Sequence, residues 1–306
     1  MRGRNQAIVS SHLTDELANF EDIARNLLPQ PGDVPRLRGI DIWGGTLSLN
    51  GVVGGDHIVY VDFKRRFDLE ARIANARAAG RVDVVEHLAR CQHMAGVALM
   101  DVSGHRVTDA LLAAMLHQAF LVGALYELDM SGHITRRLFE NLNTRFFQSS
   151  GAHKYVSMIY GEISEDARFR FVSAGHPAPA IFSRRHNRFM QVDEQYLRSF
   201  PPLGLMPSLD VVDRAAAPGH PLGFKDRYQM NLWQLMGAGD ILLLHTDGVS
   251  EHRSMDAPYF PDRLEQRLRE VRDLSARDIY DAITDDIRAF GPPSDDVSLV
   301  VIKLAQ

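Results

Sequence analysis

Only one cysteine, Cys91, occurs in 306 residues. An internal disulfide is therefore excluded, and the chain fits a reducing compartment. Basic charge is also in short supply. Lys and Arg number 34 against 39 Asp and Glu, a net charge of −5, which argues against nucleic acid as a partner of the whole chain. No uninterrupted apolar run approaches the roughly 20 residues of a bilayer-spanning helix. The polar N-terminus lacks the apolar centre of a signal peptide. No Cys/His cluster offers a zinc site. The glycine-rich stretch 50–56 lacks the lysine of a nucleotide-binding P-loop. There is no repeat and no low-complexity segment. The default reading is a cytoplasmic enzyme or regulator with no membrane span.

What is present is an ordinary globular composition, 45% hydrophobic and 24% charged. It suits one large domain, or one domain with a small appendage. Leu13, Leu17, Phe20 and Leu27 recur at helical spacing, so residues 12–28 predict a helix that ends before Pro29. Its role is left between a cover for the core and a linker or dimerising helix. Residues 39–50 and 57–63 read as strands. The charged stretch 64–92 reads as helical, interrupted near Gly80, with Asp83 as N-cap of its second piece. Its arginines, Arg65, Arg66, Arg72, Arg77 and Arg81, alternate with acids and predict a solvated face. Residues 94–102 form the next strand, followed by helices over about 107–127 and 134–148. Strands follow over about 155–163, 168–173 and 179–183. Residues 198–239 read as loops with short strands. A strand over 239–246, helices over 262–271 and 275–289, and a last strand over 297–304 complete the chain. Strands in runs, with paired helices between them, favour an α+β fold with antiparallel sheets.

Four acidic positions share one context, an apolar strand meeting an acid at a turn. They are Asp56 after Gly54-Gly55, Asp101 after Val97-Ala98-Leu99-Met100, Asp247 after the run Ile241-Leu242-Leu243-Leu244, and Asp295-Asp296 before Val297. Each alone is as readily a turn former. As a set, carboxylates converging on one cleft would repel one another unless protonated or bridged by cations. Oxygen-only ligands suit Mg²⁺ or Mn²⁺. Two such ions would generate a bridging hydroxide and offset phosphoryl charge, so phosphate-ester hydrolysis is the expected chemistry.

Five ordered motifs carry a resemblance. They are Val53-Gly54-Gly55-Asp56, Asp101-Val102-Ser103-Gly104-His105, Ser173-Ala174-Gly175-His176-Pro177, Thr246-Asp247-Gly248-Val249-Ser250-Glu251 and Ser294-Asp295-Asp296-Val297-Ser298. Over about residues 28–304 the chain resembles the metal-dependent protein phosphatases (PPM), in the bacterial branch named for the SpoIIE and RsbU serine phosphatases. The resemblance implies an αββα sandwich of two antiparallel sheets flanked by helices. It divides the chain into an N-terminal helix, 1–28, and a phosphatase domain, 29–306. It implies two Mn²⁺ or Mg²⁺ ions held by Asp56, Asp101, the Val102 carbonyl, Asp247 and Asp295, with Asp56 shared and Asp296 behind the ligands. It makes His105 a proton donor to the leaving serine oxygen and His176 a structural residue. Arg106 stands where the family has glycine; it is either strained there, if the position needs φ > 0, or a phosphate-binding guanidinium.

The implied function is hydrolysis of a phosphoserine or phosphothreonine protein, a phosphorylated anti-sigma-factor antagonist in a partner-switching pathway. The alternatives are a regulatory binding module that hydrolyses little, and a phosphatase for small esters. With so little chain before residue 28, an upstream sensor or activator protein is expected. A homodimer through the N-terminal helix is the further expected partner.

Overall fold

The computed structural model describes residues 28–30, 32–49, 54–104, 107–149, 154–209, 222–234 and 237–305, with isolated positions between 15 and 25. Two β-sheets lie between two layers of helices. One sheet has the order β1 (Ile40–Leu47), β13 (Val297–Leu304), β10 (Ile241–His245), β6 (Ala180–Ser183), β7 (Arg188–Met190), antiparallel throughout. The other runs β2 (Asp56–Asp62), β3 (Met94–Val102), β4 (Val156–Ser164), β5 (Arg168–Ala174), again antiparallel. Two short strands extend it at β5. β9 (Asn231–Gln234) is antiparallel, whereas β8 (Ser199–Phe200) is parallel, a two-residue exception to the expected pattern. A small ribbon, β11 (Arg253–Ser254) with β12 (Ala257–Pro258), completes the strands.

The unbroken apolar runs follow from this layering. A strand covered on both faces has no polar side to alternate with. In β10, Leu242 and Leu244 face the other sheet, where they join a cluster with Ile58, Leu99 and Ile159. Ile241 and Leu243 point the other way, onto α7 (Asp262–Val271) and α8 (Ala276–Phe290). Those helices answer with Leu264 and Leu268, and with Ile279, Ile283 and Ile287. Burying each such side chain is worth about 1.5–3 kcal/mol. Ser275 fixes the start of α8, its hydroxyl accepting from the Asp278 amide at 3.1 Å.

The opposite layer holds α1 (Phe63–Arg66), α2 (Leu69–Ala78), α3 (Val82–Cys91), α4 (Val107–Ser131) and α5 (Arg136–Ser149). Gly80, at φ +70°, makes the predicted break between α2 and α3. Asp83 is not the N-cap. α3 already begins at Val82, and Asp83 lies in its first turn, where a negative charge suits the helix dipole. The arginine face is solvated only in part. Arg72 pairs with Asp129, and Arg81 donates to the carbonyls of Asp129 and Met130, tying α2 and α3 to the end of α4.

α4 is long and apolar on average, although Asp109, His117, Gln118, Glu127 and Asp129 keep every apolar run in it short. Residues Asp109–Ser131 are, by length and composition, apolar enough to cross a bilayer. One stripe of this helix, Ala113, Leu116, Phe120, Ala124 and Leu128, packs into the core. The predicted N-terminal helix falls mostly outside the described residues; the described positions between 15 and 25 are helical and exposed. A short stretch, α6 (Asp247–Ser250), opens directly after β10.

Candidate metal centre

The acids meet because strand ends meet. Antiparallel pairing sets Asp56, the first residue of β2, directly opposite Asp101, near the end of β3. In the other sheet, β10 and β13 run antiparallel with His245 opposite Leu299, so Asp247 and Asp295-Asp296 share one end. Two hydrogen bonds join these ends across the sandwich. The Thr246 hydroxyl donates to Asp56 Oδ2 at 2.7 Å, and the Gly55 amide donates to Asp296 Oδ2 at 2.7 Å. Asp296 also accepts from the Leu49 amide at 2.7 Å, and its own amide donates to Asp295 Oδ1 at 2.8 Å. Gly54 is required here, since a Cβ would run into the Asp296 carboxylate.

The cleft grades from inside to rim. Asp56 is buried, Asp101 and Asp247 are half-buried, and Asp295 is exposed. Burial, then the neighbouring Asp101 charge, pushes the Asp56 carboxyl well above the usual range, although Thr246 opposes this. Burial, then Asp247, Asp295 and Asp296, pushes Asp101 up to about 7. Burial, then Asp295 and Glu251, raises Asp247. A set of carboxylates that hold one another's protons on is a set lacking positive charge. Asp101 is its centre, being the acid that senses Asp247, Asp295 and Asp296 while also acting on Asp56.

An all-oxygen set of this kind fits hard divalent cations. Among the described residues, however, no three His, Cys, Asp or Glu side chains already stand at metal-ligand spacing. The acids face one cleft without chelating. A cation bound there would replace the mutual repulsion of the carboxylates with attraction. The Val102 carbonyl faces the Gly-Gly-Asp turn, 2.9 Å from where a Cβ on Gly55 would lie, and the Val102 amide donates to the Gly55 carbonyl at 3.3 Å. His105 and Arg106 lie outside the described residues.

Several supporting residues escaped the sequence reading. Thr246 accepts from the Ser298 amide at 3.1 Å while holding Asp56. Ser157 links Asp101 to His176, with its Oγ 3.5 Å from Asp101 Oδ2 and 3.0 Å from His176 Nδ1. His176 is buried, and burial, then His245, lowers its pKa to about 3, so it stands there as neutral imidazole. Lys154 pairs with buried Asp109 at 2.6 Å and donates to the Ser103 carbonyl at 2.6 Å, bracing the turn that follows Asp101. Only the strand–acid–turn contexts carried a local signal. Thr246, His176 and Ser298 lie in the ordered motifs, but each partner is more than 15 residues from the group it holds, so nothing local tied them to Asp56 or Asp101.

Comparison with known proteins bears on this arrangement. The family model described as Stage II sporulation protein E (SpoIIE) matches residues 92–305. The phosphoserine phosphatase RsbU of Bacillus subtilis (strain 168) is 23% identical over 223 residues, 71% of this chain and 58% of that protein. The SiaA-PP2C domain of Pseudomonas aeruginosa has a TM-score of 0.62 at 14% identity, covering 97% of this chain and 98% of its own. The structure of the RsbU and RsbW domains of Rv1364c from Mycobacterium tuberculosis has a TM-score of 0.58 at 19% identity, covering 91% and 64%. The chain thus spans less than two-thirds of the RsbU and Rv1364c relatives. The structural likenesses agree with the αββα sandwich.

Proposed function

The chain belongs to the SpoIIE/RsbU branch of the metal-dependent protein phosphatases, and from that premise we propose that it hydrolyses phosphoserine or phosphothreonine in a protein. The observation that carries this reading is the Asp101 carboxyl, pushed up to about 7 by burial and by three facing acids, in a cleft whose ligands are all oxygen. We assign Asp56, Asp101, Asp247, Asp295 and the Val102 carbonyl to two Mn²⁺ or Mg²⁺ ions. When bound, such ions acidify water and offset the charge of a phosphoryl group. Asp56 is proposed as the shared ligand, buried between Asp101 of its own sheet and Asp296 of the other, with Thr246 orienting it.

The chain's own residues do the rest. Thr246 and Ser298 orient Asp56. Ser157, backed by His176, orients Asp101. Asp296 holds the Gly54-Gly55 turn in place through the Gly55 amide. His105 is proposed to protonate the leaving serine oxygen, and Arg106 to bind phosphate.

The proposed substrate is a phosphorylated anti-sigma-factor antagonist, supported by likeness to RsbU and to a chain with RsbU and RsbW domains together. We further propose a cytoplasmic location, an upstream activator protein, and pairing of two copies through residues 1–28. The alternative is a low-activity regulatory binding module that retains the phosphatase fold. Assays with p-nitrophenyl phosphate and a phosphoserine protein, with and without Mn²⁺ and beside Asp247→Asn, separate the readings. Mn²⁺-dependent turnover of the protein, lost in the variant, is the expected result. Binding without turnover identifies the module, and turnover of the small ester alone refutes a protein substrate.

A further inference from the structure

A cavity of about 710 Å³ opens at the end of the sandwich away from the acid cleft. It lies at Met94, the start of β3, whereas Asp101 lies seven residues further along the strand, about 23 Å at ~3.3 Å per residue. A second cavity adjoins it and shares Arg38, His93 and Glu165. Together they are lined by six basic side chains, Arg36, Arg38, Lys64, Arg90, Arg168 and Arg170, against three carboxylates, Glu162, Glu165 and Asp166. A local excess of three positive charges in a chain of net charge −5 is an inversion of sign.

The carboxylates are already committed. Glu162 Oε2 accepts from both Nε and Nη2 of Arg170, at 2.9 and 2.6 Å. Glu165 holds Arg38 at 2.9 Å, and Asp166 holds Arg168 at 2.7 Å. Arg36 and Arg90 have no carboxylate partner among the described residues. Their charge is the unspent part, and it favours an anion over a metal cation.

Three histidines line the same cavity in one orientation. His87 and His133 both place Nδ1 on the Ser131 carbonyl, at 3.1 and 2.9 Å, and His93 places Nδ1 on Glu165 at 2.9 Å. A carbonyl or carboxylate can only accept, so each Nδ1 carries the proton. When the rings are neutral, three Nε2 lone pairs are left as acceptors. Met94 and Leu232 supply apolar wall between them. The lining thus asks for an anionic group at Arg90, N–H or O–H donors for the imidazoles, and an apolar body.

We propose that this cavity is a binding site for a small organic phosphate of the nucleoside phosphate class. Its volume lies within the roughly 300–1,000 Å³ of small-molecule sites. The site rests on residues that the proposed hydrolysis does not use, so either can fail without the other.

Isothermal titration of the full chain in EDTA, with ADP and with inorganic phosphate as probes, tests it. The expected result is saturable uptake of one ADP, weakened at least tenfold by Arg90→Glu and unchanged by Arg277→Glu on the far helical layer. Leu232→Ser should also weaken ADP, and circular dichroism should show all three variants folded. If Arg90→Glu does not fold, Arg90→Ala carries the comparison. Absence of ADP uptake overturns the proposal, as does uptake indifferent to Arg90. Inorganic phosphate binding as tightly as ADP refutes the organic class.

Discussion

Replacing Asp101 by Asn should stabilise the metal-free protein while removing its response to metal. In the folded chain, burial and then Asp247, Asp295 and Asp296 raise the Asp101 carboxyl from 3.8 to about 7. A raised folded pKa means that the folded state holds the proton more tightly than the unfolded state. Stability therefore falls as pH rises from about 4 to about 7, and the loss is complete above that. Three pKa units at about 1.4 kcal/mol each set an upper bound of about 4 kcal/mol. Asp101 is half-exposed, so relaxation and screening reduce this to about 2 kcal/mol. Asparagine carries no charge and escapes the loss. With an unfolding entropy of about 0.6 kcal/mol/K for a chain of this length, the variant should melt about 3 °C higher in EDTA at pH 8. The gap should shrink by more than half at pH 5. Mn²⁺ should raise the melting temperature of the wild type and leave the variant nearly unmoved. Thermal melts by circular dichroism at the two pH values, with EDTA and with Mn²⁺, are sufficient. A variant that melts lower at pH 8, or gains as much from Mn²⁺ as the wild type, refutes the reasoning.

Asp247→Asn should lower Mn²⁺-dependent turnover a hundredfold or more, beyond the ~10–100-fold typical of losing an outer partner; steady-state kinetics with a phosphoserine protein decide it. Thr246→Val strips Asp56 and the Ser298 amide of their shared partner, so it should cost about 1–3 kcal/mol in urea unfolding and weaken Mn²⁺ about tenfold in titration. Gly54→Ala drives a methyl group into the Asp296 carboxylate and should reduce turnover at least tenfold, comparable to losing an outer partner, with the far-UV spectrum unchanged.

Local signals carried much of this fold. Strands 94–102 and 297–304 and helix 262–271 have the bounds expected, because charged residues, Gly or Pro flank each apolar pattern. The convergence of Asp56 and Asp101 was legible as a shared context, and the register of β2 on β3 supplies its geometry. Contacts between distant segments were not legible. Nothing beside Thr246 announces Asp56, 190 residues away, and nothing beside Ser157 announces His176. Arg72 and Arg81 looked like solvated charges because their partner, the end of α4, is reached only after folding. The helix at 107–131 was expected to about residue 127, but its membrane-length apolar average was not legible. Its Asp, Glu and His residues interrupt every run, although its average composition is that of a membrane-length helix.

The central claim is that carboxylates from four chain segments hold a pair of divalent ions. Its most direct test is a crystal grown with Mn²⁺ and measured near the manganese absorption edge. Two anomalous peaks about 3.5–4 Å apart, with Asp56 between them and Asp101, Asp247 and Asp295 alongside, are the predicted result. A cleft with no anomalous peak, its acids turned to separate solvent directions at saturating Mn²⁺, would contradict it.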